Sequence, residues 1–286
     1  MFIDDGMSLP NTFAGLVELR PSFAPRPSIT HAIFDFDGTL SLIREGWPEV
    51  MMGMFEEMIP HGCEDTPESL RKLLYEDMMS LNGKQTIYQM MRYAERVKER
   101  GGKALEPLEY KHEYLRRLNL KISFRLDGLA DGSIPASRYL VPHSIELLEE
   151  LHSRGVKLCL ASGTDEVFVK REAELLGVKR FFGPYIYGAQ DQYQNFSKKM
   201  IIERTLRENA IQGAQLIAFG DGYVEIQNTK EAGGLAIAVA SDEANPGSGK
   251  IDSWKRERLV GVGADVVIPD YRDHRPLLEL IFGKAA

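Results

Sequence analysis

The feature that most constrains this chain is an alternation that begins at Pro142. Short apolar runs, VKLCLA, PYIYGA, QLIAFG, LAIAVA and DVVIP, take turns with segments of helical spacing. Helices are expected over 142–154 (closed by Gly155), 164–176 (closed by Gly177), 197–208, 223–232 and 274–282. A polar loop rich in Gly, Asn and Pro is expected after LAIAVA. Strands that alternate with helices cannot pair as hairpins; they return in parallel, with helices covering both faces. An earlier run, ITHAIFDF, predicts a strand over 30–36, apolar on both faces as a central parallel strand must be. The fold class is therefore α/β, a doubly wound parallel sheet.

Between this first strand and Pro142 the texture differs. Residues 47–125 are rich in Met, Glu, Leu, Arg and Lys at helical spacing, broken at Pro60, Asn82-Gly83, Gly101-Gly102 and Pro107. They predict an all-helical insert of about four helices. The expected division is an extension over 1–28, an α/β core over 29–43 and 140–286, and a helical insert over 44–139, with hinges near 41–46 and 137–141. Met51, Met52, Met54 and Met58 read as insert core. Trp47 is more simply a packed hinge aromatic than a cleft wall, and residues 82–85 more simply an interhelical turn than a cleft loop.

Bulk properties exclude some functions. With 35 basic and 42 acidic residues the net charge is −7, against a nucleic-acid interface. No stretch is apolar enough to span a membrane, and the N-terminus carries no secretory pattern. Cys63 and Cys159 are not spaced as ligands and imply a reducing compartment, with Cys159 in the core. The expectation is a cytoplasmic protein, monomer or homodimer, without nucleic-acid or membrane partners.

Four polar clusters close the apolar runs. Asp35 and Asp37 sit at the end of the first strand, and Gly38 lets the chain turn away. Carboxylates so close repel unless a cation lies between them. Ser162-Gly163-Thr164 lies between a strand and a helix, where backbone N–H groups bind anions; Thr164 is the better helix cap, leaving Ser162 for phosphate. Ser197-Lys198-Lys199 opens a helix, with Lys198 favoured as the inward lysine. Asp221 follows a strand, and Glu225, a helical turn later, can face the same way. Oxygen ligands of this kind suit a hard divalent cation.

In order and context these clusters resemble the four motifs of the haloacid dehalogenase superfamily, over residues 30–282, with the insert where that family carries a helical cap of the C1 type. The resemblance implies a Mg²⁺-dependent phosphatase acting on a small-molecule phosphate ester. Asp35 would be the nucleophile and Asp37 the general acid/base. Ser162, Gly163, Lys198 and Thr39 would bind the phosphoryl group. Arg44 would meet a second anionic group on the substrate. Asp35, Asp221, Glu225 and the Asp37 backbone carbonyl would serve the metal, with Glu225 either supporting its water shell or orienting the lysine. Dehalogenation is disfavoured because Asp37 is present, and phosphonatase chemistry because no lysine precedes Lys72 after Asp37. A phosphosugar mutase is the alternative, although SLIREGW after DGTL departs from that subfamily. A non-catalytic phospholigand binder is the reading from another class.

Overall fold

The structure, a computed structural model, describes residues 17–60 and 66–283. Cys63 lies outside them. Seven strands form one sheet: β1 (Glu18–Leu19), β2 (His31–Phe34), β3 (Lys157–Asp165), β4 (Ile186–Ala189), β5 (Leu216–Gly220), β6 (Leu235–Val239) and β7 (Val266–Ile268). Their spatial order is β1-β7-β6-β5-β2-β3-β4. Every pairing is parallel except β1 with β7. The sheet is thus α/β and doubly wound, as the alternation requires. From β2 the chain builds one way to β3 and β4, then the other way from β5 to β7. The order therefore reverses around β2, where clefts form beyond the strand ends in such sheets.

The core helices are α5 (Ser144–Ser153), α6 (Glu166–Leu175), α7 (Lys179–Phe182), α8 (Lys198–Glu208), α9 (Tyr223–Glu231), α10 (Ser253–Gly261) and α11 (His274–Phe282). Alternate residues of each strand serve opposite faces. Phe34, Leu160 and Phe219 pack with the buried leucines of α5 and α11. Ile33, Cys159 and Ala218 pack against Ile201 and Ile202 of α8. The Phe34 and Phe219 rings stack at 4.6 Å and carry the central strands on one side.

Between β2 and α5 stands the helical cap: α1 (Trp47–Met58), α2 (Pro67–Ser80), α3 (Thr86–Glu99) and α4 (Pro107–Ala130). Met51, Met52 and Met54 are buried in it, as expected of core. The two connecting segments lie side by side: Leu42 N–H donates to Tyr139 O (2.9 Å) and Val141 N–H to Leu40 O (3.0 Å). Among the described residues no helix is long and apolar enough to cross a membrane.

Two expectations need correction. The N-terminal stretch is not wholly an extension, because Glu18 and Leu19 pair with Val267 and Val266 at the sheet edge. Val17 and Leu19 bury their side chains there, which outweighs the pull of the later prolines toward a linker. The region after β6 is not all loop: Asp252 caps α10 by accepting the Lys255 N–H at 2.8 Å.

Candidate active site

Asp35 follows the last residue of β2, at the sheet's reversal point. One of its oxygens accepts the Phe36 N–H (2.8 Å) and the other lies 2.6 Å from Lys198 Nζ. Burial raises its carboxyl to about 6 against the pull of Lys198, and the negative Asp221 adds to the rise. Lys198 is the inward lysine, 4% exposed, whereas Lys199 is exposed near Glu231. Burial alone would lower the Lys198 ammonium, but Asp35 and Glu225 outweigh it and hold it above the usual lysine range. Ser197 caps α8 through Met200 N–H, which fixes where Lys198 enters the core.

Asp37 is held from the opposite side. Thr164 Oγ1 donates to its Oδ2 at 2.7 Å, and Ser162 Oγ reaches the same oxygen at 3.4 Å. Its Oδ1 is buried without a hydrogen-bond partner among the described residues, 3.8 Å from Arg44 Nε. Burial raises this carboxyl to about 6 against Arg44, and Glu172 supports the rise. Thr164 is therefore not the helix cap expected of it. The strand runs on to Asp165 with a register shift against β4, so Thr164 turns its hydroxyl to Asp37 and α6 starts later. Ser162 and Gly163 line the cleft beside it.

Two other residues, Thr39 and Arg44, lie differently from expectation. The Thr39 side chain is fully buried and does not line the cleft; its carbonyl accepts from the Tyr271 hydroxyl at 2.9 Å. Arg44 reaches the cleft wall, but its guanidinium is paired with Glu172 of α6 through two bonds, 3.1 and 2.6 Å. A cation so committed is poorly placed to take a second substrate anion. Glu225 is 1% exposed. It accepts from Lys198 (2.8 Å) and from Gly222 N–H (2.6 Å), so it orients the lysine. Burial, reinforced by Asp35 and Asp221, raises its carboxyl to about 8 against Lys198.

Asp35, Asp221 and Glu225 bring carboxylate oxygens within 4.8 Å of one another. Three buried or half-buried acids served by hard oxygen donors fit Mg²⁺ or a similar cation. Asp35 and Asp221 line the cleft and Glu225 does not, so Asp35 and Asp221 are the two placed to hold an ion there. The Asp37 carboxylate is not in this cluster.

The cap closes the cleft, whose volume is about 90 Å³. Open ligand clefts run to roughly 300–1,000 Å³. The segment 82–85 is not a plain turn. Asn82, Gly83 and Lys84 line the cleft with Trp47, Thr86, Gln89 and Tyr114. Side chains at Gly83 and Gly163 would press on the opposing backbone: a Cβ on Gly163 would stand 2.8 Å from Lys84 O. Gln85 donates to Tyr193 O (3.0 Å) and Phe196 O (2.7 Å) of the core. From the core, Arg258 donates to the carbonyls of Met79, Ser80 and Asn82. A buried ion pair, Lys111 with Asp165 at 2.7 Å, joins α4 to the strand end. Sequence reading missed Glu172, Lys111, Glu243 and Lys255, whose meaning comes from partners remote in sequence. The Asp-x-x-Lys start of α10 was the one local signal available.

The pattern of the haloacid dehalogenase-like hydrolases matches residues 29–233. This chain belongs to that family. No curated protein matches the sequence. Solved structures share the fold at low identity. A predicted phosphoglycolate phosphatase from Haemophilus somnus 129pt superposes with a TM-score of 0.57 at 15% identity, over 87% of this chain and 98% of its own. A predicted phosphatase from Clostridium acetobutylicum gives 0.57 at 18% identity, over 88% and 100%. A beta-phosphoglucomutase from Clostridium difficile gives 0.53 at 14% identity, over 82% and 98%.

Proposed function

We propose that this hydrolase is a Mg²⁺-dependent phosphomonoesterase that transfers the phosphoryl group of a small phosphorylated metabolite to Asp35 and then to water. The observation that carries the reading is the placement of two carboxylates in opposed settings. Asp35 is gripped by Lys198 beside Asp221, while Asp37 is held by Thr164 with one oxygen bare.

In this reading an Asp35 oxygen attacks phosphorus and the ester oxygen leaves. Asp35 and Asp221 would hold Mg²⁺, which would supply the charge that offsets repulsion between carboxylate and phosphate. Lys198, Ser162 and the backbone N–H groups around Gly163 stabilise the phosphoryl oxygens. Asp37, raised to about 6, is suited to hold a proton for the departing alkoxide and afterwards to take one from water. Such help is typically worth about 10²–10⁴-fold. The closed cap excludes bulk water while this occurs.

The hydrolase is favoured over the mutase alternative because Arg44, the candidate for a second phosphate, is committed to Glu172. The reading extends to a cytoplasmic enzyme, alone or as a homodimer, acting on a free metabolite. The test is phosphate release from p-nitrophenyl phosphate and from a panel of sugar and short-chain phosphates, with Mg²⁺ and with EDTA. Release that depends on Mg²⁺ is expected; no release from any ester, or full release in EDTA, overturns the reading.

A further inference from the structure

Beyond β6 the chain returns to the cleft with residues that none of the four sequence clusters includes. Lys255, on α10, is 7% exposed and its ammonium has three acceptors: Asp221 Oδ2 at 3.0 Å, Glu243 Oε1 at 2.5 Å and Ser241 Oγ at 3.2 Å. An ammonium has three donors, so all are used. Ser241 in turn donates to the carbonyl of Gly38 at 2.7 Å. One buried cation therefore joins the acid after β5, Asp221, to the turn that follows Asp37. The joint is tight: a Cβ on Gly38 would stand 2.1 Å from Asp221 Oδ2 and 3.0 Å from Glu243 Oε1.

The charge of Lys255 is matched by Glu243 at 2.5 Å. Seen from a cation between Asp35 and Asp221, the pair is close to neutral, so it neither strongly repels nor attracts. What remains is orientation: Asp221 has one oxygen tied and its carboxylate plane fixed. Partners behind a ligand commonly govern metal affinity in this way.

We propose that Lys255, with Glu243 and Ser241, is a positioning residue for the divalent cation, holding Asp221 and the Gly38 turn in binding geometry. This rests on the cation reading given above. The test is direct titration of Mg²⁺ into the full chain by calorimetry, without substrate, on wild type, the charge-neutral double variant Glu243→Gln/Lys255→Met, and Ser241→Ala. Circular dichroism and thermal unfolding in EDTA check the fold of each. The double variant is expected to raise the Mg²⁺ Kd by about 10–100-fold. Ser241→Ala, which removes the link to Gly38 and one of the three Lys255 acceptors but leaves the Lys255 contact with Asp221, should give a smaller rise. A folded double variant with the wild-type Kd overturns the proposal while leaving the cation reading intact. If the double variant does not fold, Ser241→Ala decides: a raised Kd supports the proposal and an unchanged Kd overturns it. Failure of wild type to bind Mg²⁺ removes the cation reading, and this proposal with it.

Discussion

Replacing Glu172 by alanine tests the pairing that takes Arg44 away from the substrate. Both side chains are nearly inaccessible, 5% and 2% exposed, so solvent screening does little to weaken the pair. The variant removes bonds of 3.1 and 2.6 Å and leaves a guanidinium buried beside Asp37 alone. Breaking a buried pair by deleting one partner costs about 3–5 kcal/mol. For a chain of this size, at about 2 °C per kcal/mol, Tm should fall by roughly 6–10 °C. Replacing both partners, as Arg44→Met with Glu172→Leu, should recover most of that loss, since no charge is then stranded. Melting followed by circular dichroism reads both. The same change has a chemical signature. Glu172 helps hold the Asp37 carboxyl up at about 6 and Arg44 pulls it down. Without Glu172 the carboxyl falls, Asp37 gives up its proton at lower pH, and the alkaline limb of the rate profile moves toward acid. A Tm within about 2 °C of wild type, with an unmoved profile, would refute the reasoning.

Two further outcomes follow from the geometry. Gly163→Ala places a methyl 2.8 Å from Lys84 O and forces the cap segment off the cleft; kcat/KM should fall by about 10²-fold with little change in Tm, read by steady-state kinetics and melting. Unchanged kinetics would mean that the cap need not seat there. Burial raises the Cys159 thiol to about 12, so the reactive thiolate is scarce at neutral pH; in a Cys63→Ser background it should react with a disulfide reagent only on unfolding, and rapid labelling of native protein would contradict its packing.

The sheet was legible because its strands are buried on both faces and read as continuous apolar runs. The edge strand Glu18–Leu19 was not, since two residues carry no periodicity and their partner lies at the far end of the chain. The helix Ser253–Gly261 was hidden by the Gly and Pro of the preceding loop, although its Asp252 cap is local. At the site, the acids and Lys198 could be found because each terminates a strand or opens a helix. Arg44 was read from its nearness to Asp37 along the chain and Thr39 from the family resemblance, but neither sets side-chain direction. Arg44 is claimed by a residue 128 positions away, and the Thr39 side chain is fully buried off the cleft. Lys111 and Lys255 lie in ordinary charged helices, where sequence alone gives every lysine the same appearance.

Trapping the covalent species tests the central assignment most directly. Wild-type enzyme and Asp35→Asn are mixed with a turnover substrate, quenched within the first cycle, reduced with borohydride and digested for mass spectrometry. An aspartyl-phosphate on Asp35 predicts reduction of that residue to homoserine in wild type, with neither label nor turnover in Asp35→Asn despite a native fold. Phosphate release in wild type with Asp35 unmodified throughout, or normal turnover by Asp35→Asn, would contradict it.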